Sequence, residues 1–80
     1  MRDPERMQLL LTLIQEIWQQ SPDLRFNQLL YNLQYSYSLE NNGAGQIKAV
    51  DTDGFTRTGF DLFNLEDSIF IDHLQTLKNK

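Results

Sequence analysis

Eighty residues carry 11 acids, seven Lys or Arg, one histidine and no cysteine, for a net charge of −4 and a pI near 4.6. A chain this short forms one domain, residues 1–80, and buries only about 60 to 65% of the surface it exposes when unfolded. Without cysteine there is no disulfide framework, thiolate zinc site or thiol catalysis, and the acidity has the wrong sign for a generic nucleic-acid or anionic-membrane binder. Nine aromatic residues and a 40% apolar fraction still predict a packed core rather than disorder. The run Leu9-Leu10-Leu11 is too short for a signal sequence or a membrane span, so the expected address is the cytoplasm, with no membrane contact.

The first helix is predicted over about residues 4–20. Asp3 can cap it, Pro4 suits its first position, and Ser21-Pro22-Asp23 ends it. Met7, Leu10, Leu11, Ile14, Ile17 and Trp18 follow three-four spacing and are assigned to the buried face. Leu9 and Leu13 fall outside that face, so the apolar stripe is wider than one neighbour needs. Trp18 is the expected keystone of the core, and its truncation to Ala is expected to unfold the chain.

A second helix is predicted over about residues 25–37, with Phe26, Leu29, Leu30, Leu33 and Tyr37 facing inward. The short connection makes the first two helices direct neighbours, as an αα-hairpin or a steeper corner. From Ser38 to Gly45 the pattern lapses into Asn and Gly, and this loop is expected to be the most mobile internal segment. A β-hairpin follows, with strands at about 46–50 and 55–58 and a turn at Asp51-Thr52-Asp53-Gly54 that puts Gly54 in the left-handed region. Gly59 is expected to release the chain. A third helix is predicted over about 65–78, capped by Asn64, with Ile69, Phe70, Leu74 and Leu77 as its core stripe. The fold class is therefore mainly α: three helices with a short hairpin inserted between the second and third.

Asp3-Pro4-x-Arg6, Trp18, Pro22-Asp23-x-Arg25, Gln28-Leu29 and the late Leu65-Glu66-Asp67 resemble small bacterial and phage proteins grouped with YihD. The resemblance covers about residues 3–33 and 61–74, while the stretch from Ser38 to Gly59 departs from it as a local elaboration. It implies a small cytoplasmic helical protein of unknown function and supplies no catalytic or ligand residue.

Each chemical motif meets a structural alternative. Asp51-Thr52-Asp53-Gly54 is too poor in ligands for a calcium loop, because Gly54 at the sixth position would put Ala49 first and Phe60 twelfth. Asp67-Ser68-Ile69 is similar to the attachment site of acyl carrier proteins, yet only twelve residues follow Ser68 where that family has half a domain to come. His73 invites a general-base role, but the sequence offers no nucleophile or orienting partner beside it, so a half-buried histidine bonded to backbone is expected. Of the carboxylate pairs, Glu66/Asp67 stabilises a helix start and Asp61/Asp72 has no rigid spacing, so neither is assigned as glycosidase acids, and Gly43-x-Gly45 lacks a third glycine and leads into a strand. No catalytic residue, metal or cofactor is assigned, and the chain is expected not to be an enzyme.

The leading expectation is a protein–protein interaction or regulatory module. Tyr31 and Tyr35 lie roughly 140° to 180° from the Phe26/Leu30/Leu33 face, with Gln28 beside them. They are either covered by the hairpin or form an aromatic docking patch. Gln28, Tyr31, Tyr35, Leu9 and Leu13 are the candidate partner-binding residues. The partner is a protein with a basic face, or a second copy of the chain, since pairing supplies burial that 80 residues lack. The alternative is a helix-turn-helix that reads bases through Arg25, Asn27, Gln28, Tyr31 and Asn32. Few cations support it in this region, which sets nucleic acid behind protein as the partner.

Overall fold

A computed structural model describes residues 3–79. Asp3 Oδ1 accepts the Glu5 N–H at 2.9 Å, and Pro4 leads directly into α1 (Glu5–Gln19). Proline costs nothing there, because the first-turn N–H groups have no helical acceptor in any case. The corner forms where expected: Ser21 N–H closes the helix on Trp18 O at 2.9 Å, and Leu24 N–H returns to Ser21 O. Arg25 is the extended residue before α2 (Phe26–Glu40), and the Gln28 side chain reaches back to accept the Arg25 N–H at 2.9 Å.

α2 runs three residues beyond its predicted end. Ser38, Leu39 and Glu40 are helical and Ser38 is buried, so the first part of the supposed mobile loop is packed structure. The stop comes at Asn42, which takes φ 60°, and Gly43 N–H caps Ser38 O at 2.7 Å in a Schellman-type closure. Asn41 Nδ2 adds a bond to Tyr37 O.

The hairpin pairs β1 (Gln46–Val50) with β2 (Thr56–Phe60) in antiparallel register, Gln46 opposite Phe60 and Val50 opposite Thr56. Its turn is the one expected, with Gly54 at φ 84° donating to Asp51 O and Asp51 N–H donating to Phe55 O. The second strand, however, begins and ends later than the sequence suggests. Gly59 pairs with Ile47 instead of releasing the chain, and the ladder continues to Asp61 N–H on Gly45 O at 2.7 Å. Gly45 is fixed by this close approach: a Cβ there would meet Leu62 Cδ2 at 2.6 Å and the Asp61 carbonyl at 2.8 Å.

α3 (Asp67–Lys78) starts two residues late, with Glu66 as its N-terminal flanking residue in place of the expected Asn64. It packs chiefly along α1, whereas α2 meets α3 and β2. Two ion pairs set the direction: Arg6 Nε to Asp67 Oδ2 at 2.7 Å near one end, and Glu16 with Lys78 near the other. α1 and α3 therefore run parallel, and α2 with the hairpin is the crossover between them. α1 and α2 touch mainly at their corner, where Trp18 and Phe26 lie 5.6 Å apart.

The core is small: Leu13, Leu29, Leu33, Ile71 and Leu74, with Leu10, Ile14, Ile17, Trp18, Leu24, Phe70 and Leu77 packed around it. Two helix faces are therefore rotated from their predicted positions. On α1 Leu13 is buried at 3% exposure, while Met7 and Leu11, assigned to the core, are 55% and 66% exposed. On α3 Ile71 is buried and Ile69 is exposed. Phe26, also expected inside, is 47% exposed. With extents of 44 × 34 × 20 Å and a radius of gyration of 14.1 Å, the molecule is a slab. A compact chain of this length would have a radius of about 12 Å. Among the described residues no helix is long and apolar enough to cross a membrane.

Candidate functional site

α1 carries two apolar seams. Taking Leu13 as zero and about 100° per residue, Leu10, Leu13 and Ile17 span about 60° and face α3. Arg6 and Glu16 flank the same side and hold their α3 partners across it. Met7, Leu11, Ile14 and Trp18 occupy about 100° to 160°, with the four-three-four spacing of a heptad seam. The charged residues of α1, namely Glu5, Arg6 and Glu16, all lie toward the α3 side. The outward flank holds only apolar and amide side chains.

At its C-terminal end the outward seam becomes a groove. Leu11, Ile14, Gln15, Trp18, Gln19, Pro22 and Phe26 line an apolar hollow of about 480 Å³. Its shape follows from the corner: Pro22 turns the chain, and α2 leaves steeply enough to set Phe26 against the Trp18 ring as a wall. Trp18 is fixed from behind by its indole N–H, which donates to Leu24 O at 2.8 Å. The groove floor is thus anchored by a hydrogen bond, while its lips, Leu11 and Phe26, are exposed.

The predicted partner-binding residues divide. Leu13 belongs to the core and faces α3, so its assignment to an outer margin is corrected. Leu9 is exposed, on the side of α1 away from the groove. Gln28 spends its side-chain oxygen on the start of α2. Tyr31 and Tyr35 stack at 6.3 Å, and Phe60 of β2 meets both rings edge-on at 5.3 and 5.8 Å. The hairpin therefore covers one edge of the tyrosine pair and leaves the rings 44% and 46% exposed. The expected covering of the tyrosines by the hairpin is thus partial. The groove at Pro22 and Phe26 was not foreseen, although the interleaved spacings 10-13-17 and 7-11-14-18 were there to be separated.

His73 sits differently from expectation. It is buried, and its two ring nitrogens lie against side chains of α2. Nε2 lies 2.7 Å from Ser36 Oγ and Nδ1 lies 3.3 Å from Glu40 Oε2, while Tyr37 packs perpendicular to the ring at 5.4 Å. Ser36 and Glu40 are one helical turn apart, which brings both to the same ring. The order serine, histidine, carboxylate is that of a hydrolytic triad, held here between α2 and α3. Ser36 Oγ also lies 3.0 Å from Leu33 O, a backbone acceptor that competes with Nε2 for its one proton. It sits mid-helix, where neighbouring N–H groups are held in the helical ladder and cannot stabilise an oxyanion.

The Asp51 side chain forms an ion pair with Arg57 Nε at 2.9 Å across the hairpin turn. Among the described residues no group of three or more His, Asp or Glu converges as a metal site. Comparison with protein-family models, with curated proteins and with solved structures finds no match for this chain.

Proposed function

We propose that this chain is a non-enzymatic protein-binding module that docks through the outward seam of α1 and the groove behind it. One observation carries the reading: an uncharged apolar groove whose lips are exposed large hydrophobics. Single exposed leucines need no explanation, but a contiguous seam ending in an aromatic-walled hollow is the surface that interfaces use. Gln15 and Gln19 are the polar side chains lining it, too few and too alike to orient a polar small ligand.

Membership of the YihD group and a cytoplasmic address belong to this proposal and rest on the residues quoted above. For a heterologous partner, the net charge of −4 favours a basic surface around an apolar anchor. The helix-turn-helix reading gains no support, because Gln28 is used in capping α2 and Tyr31 packs against Phe60. Affinity capture with wild type, Leu11→Glu and Tyr31→Ala/Tyr35→Ala baits tests the reading. Bound protein, including untagged copies of the chain itself, should be lost with Leu11→Glu and kept with the tyrosine double variant. Capture unaffected by Leu11→Glu overturns the seam as the docking surface. A random-duplex gel shift that weakens steeply with salt would instead restore nucleic acid as the partner.

A further inference from the structure

We propose that the occupant of the outward α1 seam is a second copy of the same chain, in an antiparallel isologous pair; this rests on the seam being a docking surface. Three observations converge on it.

The first is area. The chain exposes 6246 Å², whereas a folded monomer of its mass is expected to expose about 5,000 Å². The excess of about 1,200 Å² exceeds the roughly 800 Å² that each partner contributes to a standard stable interface. One self-contact of ordinary size would therefore return the slab to ordinary compactness.

The second is symmetry along the helix. Met7, Leu11, Ile14 and Trp18 are spaced four, three and four, a pattern that reads the same in reverse. When two such helices lie antiparallel, Met7 falls opposite Trp18 of the second copy and Leu11 opposite its Ile14, twice over. The exposures match this division: Met7 and Leu11 protrude, whereas Ile14 and Trp18 are half-buried and form the floor of the groove. One half of the seam is a knob and the other is a hole, which is what an isologous contact requires. The Met7 thioether would then meet an indole face, a favourable sulfur–aromatic contact.

The third is charge. Two copies together carry twice the net charge of −4, so a self-contact is tolerable only where like charges do not meet. The outward flank of α1 has none, and Glu5, Arg6 and Glu16 face the other way. The Tyr31/Tyr35 face is already engaged in part, because Phe60 meets both rings edge-on.

The experiment is sedimentation equilibrium with parallel fluorescence of Trp18, the only indole in the chain. Protein concentrations run from about 5 to about 500 µM, which brackets a Kd in the tens of micromolar. Wild type should approach twice the 9.4 kDa chain mass, and Trp18 emission should shift to the blue in step with the mass. Leu11→Glu should stay at single-chain mass with the unshifted emission, while its far-UV circular dichroism matches wild type at the lowest concentration. Gln75→Glu, exposed on α3 and away from the seam, should pair as wild type does. A wild-type mass that stays single throughout, or a dimer in which Trp18 emission does not move, overturns the proposal. If the mass stays single and Leu11→Glu still abolishes capture of another protein, the self-pairing falls and the docking surface stands. If neither association nor capture depends on Leu11, both fall.

Discussion

Leu11 and Leu13 stand two residues apart on one helix and live in different environments. Leu13 faces α3 at 3% exposure, whereas Leu11 projects outward at 66%. The same contrast separates the two flanks of α1. The inner flank joins apolar side chains to ion pairs that bind α3 at both ends, and the outer flank is an uncharged seam whose Met7 and Leu11 stand exposed. Position in a helix, not residue type, decides whether a leucine stabilises the fold or stands ready for a partner. Substitutions on the two sides should therefore differ by several kcal/mol.

The largest loss is expected at the centre of the inner contact. Leu74 is fully buried, and Leu74→Ala should cost about 3 to 4 kcal/mol. A chain of this length has about 4 to 12 kcal/mol in all, so denaturant titration should find the variant at or near the edge of folding. Leu13→Ala should follow closely, at about 2.5 to 3.5 kcal/mol. A loss at Leu13 no greater than at Leu11→Ala would remove the distinction between the flanks.

His73→Ala comes next, at about 2 to 3 kcal/mol, because it removes a buried ring and leaves Ser36 Oγ and Glu40 without it. Ser36→Ala should cost less, about 1 kcal/mol, since Glu40 and Tyr37 still hold the ring. Thermal melts of the two variants check the order, and an unshifted His73→Ala midpoint would show that α2 and α3 are joined by apolar contacts alone.

Trp18 belongs to the boundary between the flanks. It was expected to be the keystone whose loss unfolds the protein, yet it is only half-buried and forms the groove floor. Trp18→Phe should therefore cost about 1 kcal/mol, the value of the indole bond to Leu24 O. The exposed end of the Arg6–Asp67 contact gives a smaller effect: Asp67→Asn should lower stability by about 0.5 kcal/mol, and less at high salt. Smallest of all, Leu11→Ser should change the midpoint by less than about 0.5 kcal/mol at micromolar concentration. A larger effect that grows with protein concentration would place Leu11 in a self-contact.

Much of this architecture was legible in the residues. Pro4, Pro22 and Gly54 fixed where the chain starts, turns and reverses, since each restricts or requires one backbone conformation. Three-four spacing located all three helices, and the order of helices and hairpin followed from it. The ends of elements were less legible: Glu40 continues α2 because Ser38 is buried and Glu40 meets His73, which no local pattern encodes. Gly59 stays in β2 because the ladder extends to the close Gly45–Asp61 approach, another contact between distant residues.

The residues of α1 alone establish that this helix has more apolar surface than one neighbour can bury. Which of its seams meets α3 was decided only by tertiary packing. Periodicity measures the width of a stripe, but two adjoining seams merge into one broad stripe whose centre is neither of them. That merging put Met7 and Leu11 inside and Leu13 outside. The Arg6–Asp67 and Glu16–Lys78 pairs resolve it, because they pin α3 to the Leu10–Leu13–Ile17 side. The same holds for Ser36, Glu40 and His73: the residues were present, but only the fold of α2 onto α3 brought a hydroxyl, a carboxylate and an imidazole within hydrogen-bonding reach.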